Sequence, residues 1–157
     1  MNNFLRFIEF FTLGTWLGGI LYLSFVVAPG AFSVLGSRDQ AGVFVGFALG
    51  RLHVVGIILG LVYLASAGLR RVSVSGAGKV AMLAVVLMIV VTAGSQYGVT
   101  QRMRGLRTQM GSVDATPASD PLRQRFDRLH KLSVRLEGMV ILAGFVALYL
   151  TACKTGG

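Results

Sequence analysis

Charge is what this sequence has least of. Only 13% of its 157 residues are Asp, Glu, Lys or Arg, about half the quarter that keeps the surface of a soluble domain wet. The charges are also clustered. None falls between Phe10 and Ser37, between Val80 and Gln101, or between Gly138 and Cys153, and Leu52 to Leu69 holds only His53. Each run approaches the ~20 residues that cross a ~30 Å hydrocarbon layer as helix, which excludes an ordinary soluble domain. A single cysteine, Cys153, excludes an internal disulfide and a Cys-x-x-Cys redox pair. Neither His-Glu-x-x-His nor Gly-x-Ser-x-Gly occurs, so hydrolase and structural-zinc readings have no support. "SGAGKVA" lacks the first glycine of a phosphate loop and has Val80 where Ser or Thr would hold magnesium.

What is present is apolar and basic. Hydrophobic residues make up 54% of the chain, and fifteen Lys and Arg outnumber six Asp and Glu, for a net charge of +9. The basic residues flank the apolar runs, where headgroup phosphates are the nearest anions and each cation gains about 1 kcal/mol near an anionic leaflet. The partner expected from this charge is a lipid bilayer with anionic headgroups, and not nucleic acid.

These features predict an all-α fold, an integral membrane up-down four-helix bundle forming one domain over residues 1–157. Spans are expected at about 4–27, 43–69, 79–100 and 132–153. Pro29 and Gly30 are expected to end the first. Glu9, the length of the run and the absence of a small-x-small site set that segment apart from a signal peptide. "SVLGSRDQAG" and "RRVSVSGAG" read as short linkers, and the third span as continuing amphipathically through "QRMRGLRTQM". Asp120 followed by Pro121 is a helix-start signal, placing the fourth helix from about Leu122. The connection 101–131 and Arg38 carry eight basic residues, against five on the other side. That margin favours placing the long connection in the cytoplasm, with both termini outside. Gly14, Gly18, Gly46, Gly56 and Gly60 recur at helical spacing and read as close-packing positions within the chain, with a homo-oligomer seam as the alternative. The opening "FLRFIEFFTLGTW" reads as interfacial anchoring and lipid-facing surface.

The triplet Arg-Leu-His occurs twice, at Arg51-Leu52-His53 and Arg128-Leu129-His130, and these are the chain's two histidines. At about 100° per residue, His53 shares a stripe with Gly46, Gly56 and Gly60, while Arg51 points to the opposite side beside Phe44 and Phe47. On the fourth helix Phe126, His130, Ser133 and Glu137 share one stripe, and Arg128, Lys131 and Arg135 another. The basic stripe can snorkel to headgroups. Glu137 is short-stemmed and followed by sixteen uncharged residues, so it is expected to face inward. Ionisable groups within a membrane are functional hypotheses by default. The expected polar pocket comprises His53, Gln96, Tyr97, Ser133 and Glu137, with His130 near its rim.

"GTWLGGILYLSFVVAPGAF", "SQYGVTQRMRGLR" and "DPLRQRFDRLHKLSVRLEG" together resemble the four-helix membrane family of transmembrane protein 205 relatives, whose bacterial members are a domain of unknown function. The resemblance covers nearly the whole chain in order. It implies a four-span bundle and no particular reaction. More loosely, the architecture is similar to that of the haem-dependent protoporphyrinogen oxidase and the copper-resistance D family, from which no residue is carried over.

Three functions compete, with an enzyme activity the least supported. The first is ligand binding, with haem b or copper held by His53 and His130, and Glu137 as a further metal ligand, because imidazole suits both metals and a bundle core can hold a cofactor. The second is transport or permeation through a His53–Glu137 vestibule. The third is an accessory subunit in a homo-oligomer or larger membrane complex. Ligand binding ranks first, since two histidines and an intramembrane acid exceed what packing requires.

Overall fold

Charge-free runs of this length have one general solution in hydrocarbon, the α-helix, which satisfies each backbone N–H and C=O within itself. The computed structural model describes residues 2–70 and 76–153. It contains four long apolar helices: α1 Asn2–Val34, α2 Arg38–Leu69, α3 Gly76–Met110 and α4 Pro121–Cys153. No strand occurs among the described residues. The protein is an all-α, four-helix integral membrane bundle. Arg71 and Lys154, counted above among the flanking charges, lie outside the described residues, as does most of the basic linker before α3.

Around the bundle the order is α1, α2, α3, α4. Neighbours in that ring pack along their lengths, and among the described residues the diagonal pairs α1/α3 and α2/α4 make no close backbone approach. The centre is filled by Leu13, Trp16 and Ile20 of α1, Tyr63 of α2, Val85 and Met88 of α3, and Val140 and Ala147 of α4. Phe4, Phe7, Phe11, Leu83, Leu142 and Tyr149 face outward, as apolar residues in lipid should. Trp16 departs from the anchoring expected of the aromatic start: it is 1% exposed and central.

Two glycines explain that. A β-carbon on Gly56 would overlap the Trp16 indole at Nε1, and one on Gly60 would lie 2.8 Å from both Trp16 Cζ3 and Ile89 Cγ1. Gly56 and Gly60 therefore let α1 and α3 close onto α2. Among the described residues Gly14, Gly18 and Gly46 have nothing within 4 Å of the equivalent position. Gly14 and Gly18 lie on the exposed side of α1, and Gly46 is half-buried, one end of a stripe that packs closely only from Gly50 onward.

Pro29 does not end the first helix. Residues Leu23–Val27 form a π-helical turn in which the Ala28 N–H reaches back five residues to the Leu23 carbonyl, and an α-helical segment then runs from Ala28 to Val34. The wider turn resets the hydrogen-bond register just before the proline. Its missing N–H then falls in a new first turn, where no intrahelical partner is needed. The expected linker shrinks to Leu35–Ser37, because Ser37 caps α2 by accepting from Gln40 N–H at 3.1 Å.

At the other end of this region, Gly111 (φ +73°) stops α3, and the connection that follows docks onto the first turn of α2. Asp39 Oδ2 accepts from Ser112 Oγ at 2.5 Å, and Oδ1 from Val113 N–H at 3.0 Å. Arg107 Nη1 donates to the Asp39 carbonyl at 2.9 Å. Asp39 precedes the apolar run that opens at Val43. The Ser112 hydroxyl first, then the Val113 and Asp114 N–H groups and nearby Arg107, hold its carboxyl below the ordinary carboxylate range. A depressed carboxyl contributes stability above its unfolded value and loses it as pH falls through the folded one. Docking of residues 111–120 should therefore survive mild acid in the wild type. In D39A it should be lost at neutral pH, read as faster proteolytic cleavage of the connection with the four helices intact.

Candidate functional site

Each helix of the inner polar site brings its side chain by a different device. On α2, helical periodicity runs unbroken, so His53 falls on the same inward stripe as Gly56 and Gly60 and is 1% exposed. On α4, the uninterrupted helix carries Phe126, Ser133 and Glu137 inward. On α3, a second π-helical stretch, Ser95–Thr100, interrupts the helix where the polar residues cluster. Such bulges often mark functional positions. Here the wider turn directs Gln96 to the interior and leaves Tyr97 60% exposed.

The three side chains meet across the diagonal of the bundle. His53 Nδ1 lies 3.0 Å from Gln96 Oε1, and His53 Nε2 lies 3.1 Å from Glu137 Oε2. Glu137 is 15% exposed. Its second oxygen, Oε1, is buried with no hydrogen-bond partner among the described residues, as are Ser95 Oγ and Trp16 Nε1. One turn above His53, a β-carbon on Gly50 would sit 3.2 Å from Arg104 Nη2 and 3.4 Å from Gln96 Nε2. Gly50 thus lets the exposed Arg104 reach the rim of the site beside Gln96. Arg104 belongs to the basic stretch expected at the headgroups, and its approach to Gln96 depends on the missing side chain at Gly50.

His130 does not join the group. It is exposed and stacks parallel on Phe126, with ring centroids 6.5 Å apart. At about 100° per residue His130 lies about 40° to one side of Phe126, the edge of a stripe centred on Phe126, Ser133 and Glu137. Ser133 is buried on that stripe. Arg51 points outward and covers the Phe47 ring at 5.3 Å.

This geometry bears directly on what the site can hold. The two ring nitrogens of His53 face the side chains of Gln96 and Glu137. His130 turns away, and no cluster of three His, Cys, Asp or Glu suited to a metal occurs among the described residues. The second histidine of the expected haem or copper set is therefore not at this site. The His53–Glu137 contact holds a proton. A neutral imidazole carries one N–H. His53 either donates it from Nε2 to the Glu137 carboxylate and accepts at Nδ1 from the Gln96 amide turned over, or stands as an imidazolium against the carboxylate, or accepts at Nε2 from a protonated Glu137. In each state one proton occupies the 3.1 Å gap.

Neither the curated proteins nor the solved structures hold a match to this chain. Residues 11–112, which include α1 from Phe11, all of α2 with His53, and α3 with Gln96 and Arg104, match the family described as Domain of unknown function (DUF4149), and the chain belongs to that family.

Proposed function

We propose that this is a proton-responsive membrane protein, of transport or permeation type, in which the His53–Glu137 pair takes up and releases a proton. The observation that carries the reading is the buried imidazole 3.1 Å from the Glu137 carboxyl, with the Gln96 amide on its other nitrogen. Uptake or release of one proton changes the net charge of the interior pair by one, in a medium where charge is expensive. That is how a small pH step is turned into a change of helix packing. Gln96 fixes the ring orientation from the Nδ1 side, as hydrogen-bonded partners of working imidazoles commonly do. Arg104, itself exposed, reaches the rim beside Gly50. On the charge asymmetry of the sequence, we place the long connection in the cytoplasm of a bacterial inner membrane, against anionic headgroups. The outward face of α1 with Gly14 and Gly18 is the seam we assign to a homo-oligomer. Kinship with the transmembrane protein 205 relatives belongs to the same proposal and rests on the three sequence motifs given above.

Isotope-edited infrared spectroscopy of the protein in nanodiscs tests the reading. On titration, the carboxyl band of Glu137 and the ring bands of His53 should change together, with one midpoint. In E137Q the imidazole change should shift or vanish. Two groups that change independently, or neither changing between pH 4 and 9 (roughly the range open to a carboxyl–imidazole pair), would remove it.

A further inference from the structure

A second ionic centre lies inside the bundle and is not used by the site described above. Glu9 of α1 is 0% exposed and Arg70, at the end of α2, is 9% exposed, with Arg70 Nε 3.2 Å from Glu9 Oε1. Tyr63 lies two turns before Arg70 on α2 and is buried in the core. Its hydroxyl pairs with Thr151 Oγ1 at 2.8 Å. Since Thr151 Oγ1 donates to the Ala147 carbonyl at 2.7 Å, the Tyr63 hydroxyl is the donor between them. Arg6 lies one turn from Glu9 along α1 and is the remaining charged neighbour on that helix. An apolar pair would hold α1 to α2 as well as an ion pair does. A charged pair kept inside a membrane bundle therefore calls for a use.

Its position supplies one. Arg51 and Arg70 bracket a stretch of α2 that spans about 28 Å at ~1.5 Å per residue, close to the ~30 Å of a hydrocarbon core. His53 lies just inside one boundary, and Glu9–Arg70 lies at the other. Between them, among the described residues, Tyr63 is the one buried ionisable side chain. Leu17 Cδ1 and Met88 Cε close over Gly144, at 3.0 and 3.2 Å from where its β-carbon would be, and Trp16 covers Gly56 and Gly60. Polar groups thus stand at both ends of one bundle interior, with an apolar layer across its middle.

We infer that Glu9–Arg70 is the second terminal of a proton path that begins at His53–Glu137, with the Leu17–Met88 layer as the barrier between them. The inference rests on the proton-site reading of His53–Glu137. A proton crossing the barrier neutralises the Glu9 carboxylate and frees the Arg70 guanidinium toward the far boundary. Release of that proton to the far side restores the ion pair, so the cycle needs no other reactant.

Full-length protein in liposomes, with a trapped pH-sensitive dye and a potassium diffusion potential, tests this. The wild type should carry protons. The E9Q/R70Q variant removes both charges together and leaves none uncompensated, and it should slow the flux by about tenfold or more. Infrared titration of the same variant should still show the coupled Glu137–His53 change, which separates loss of the second terminal from loss of the fold. E9D, which keeps the carboxylate, should stay close to wild type. Equal flux in wild type and E9Q/R70Q overturns the inference, as does a wild type without flux whose His53–Glu137 pair titrates; both results leave the proton site standing. A pair that does not titrate removes the site and the path together.

Discussion

Leucine at position 137 alone should destabilise the bundle by about 3 kcal/mol or more, because it leaves the buried His53 ring facing hydrocarbon on its Nε2 side. His53→Leu alone should cost a similar amount, by stranding the Glu137 carboxyl. The two together should cost far less than their sum, since a buried pair replaced by apolar residues of similar volume is often neutral or stabilising. A coupling of about 2 kcal/mol or more in the double-mutant cycle, measured by reversible unfolding in mixed micelles, is the expected result. The 3.1 Å contact across the bundle diagonal is the reason. Additive single effects would mean that the two side chains meet without acting as a pair. The stable double variant is also informative about function. If apolar residues serve stability as well as His53 and Glu137 do, their presence answers to something other than stability. H53L/E137L should then fold and show no proton uptake.

Much of this was legible in the sequence, and the reason is physical. Runs without charge fix the number of helices almost by length alone. The inward facing of His53 and Glu137 followed from a 3.6-residue period because neither helix is interrupted near them. Where the period broke, the reading broke with it. Tyr97 faces outward because the π-helical turn at Ser95–Thr100 moves every following side chain around the axis. Pro29 sits within α1 because another such turn precedes it. Neither bulge leaves a mark in hydropathy. His130 was assigned by stripe, but a stripe has edges, and packing decides what an edge residue does. Glu9–Arg70 was hidden for a different reason: its partners come from the start of one helix and the end of the next, and no local pattern links them. Arg104 was read by composition as a headgroup contact, and its approach to Gln96 depends on the absence of a side chain at Gly50.

The same dependence on missing side chains sets the second large effect. Gly56→Ala should destabilise the protein by about 1–3 kcal/mol, and Gly56→Val by more. The added β-carbon would meet Nε1, Cε2 and Cδ1 of Trp16, atoms of a rigid ring that is 1% exposed and cannot swing aside as a chain end could. Relief requires α1 to move away from α2. Gly50→Ala is a useful contrast, since its neighbours are the flexible ends of Arg104 and Gln96, and its effect on stability should be small. Gly14→Ala should be neutral or stabilise by up to about 1 kcal/mol, through helix propensity alone. Trp16→Phe, by making room, should recover part of the Gly56→Ala loss, a non-additivity that thermal unfolding in detergent can read. Gly56 is three residues from His53 on the same face of α2. Moving α1 outward should therefore also disturb the Gln96–His53–Glu137 arrangement, so Gly56→Ala should impair the coupled infrared change while Gly14→Ala leaves it intact. A Gly56→Ala variant as stable as Gly14→Ala would show that contact with the indole does not govern position 56.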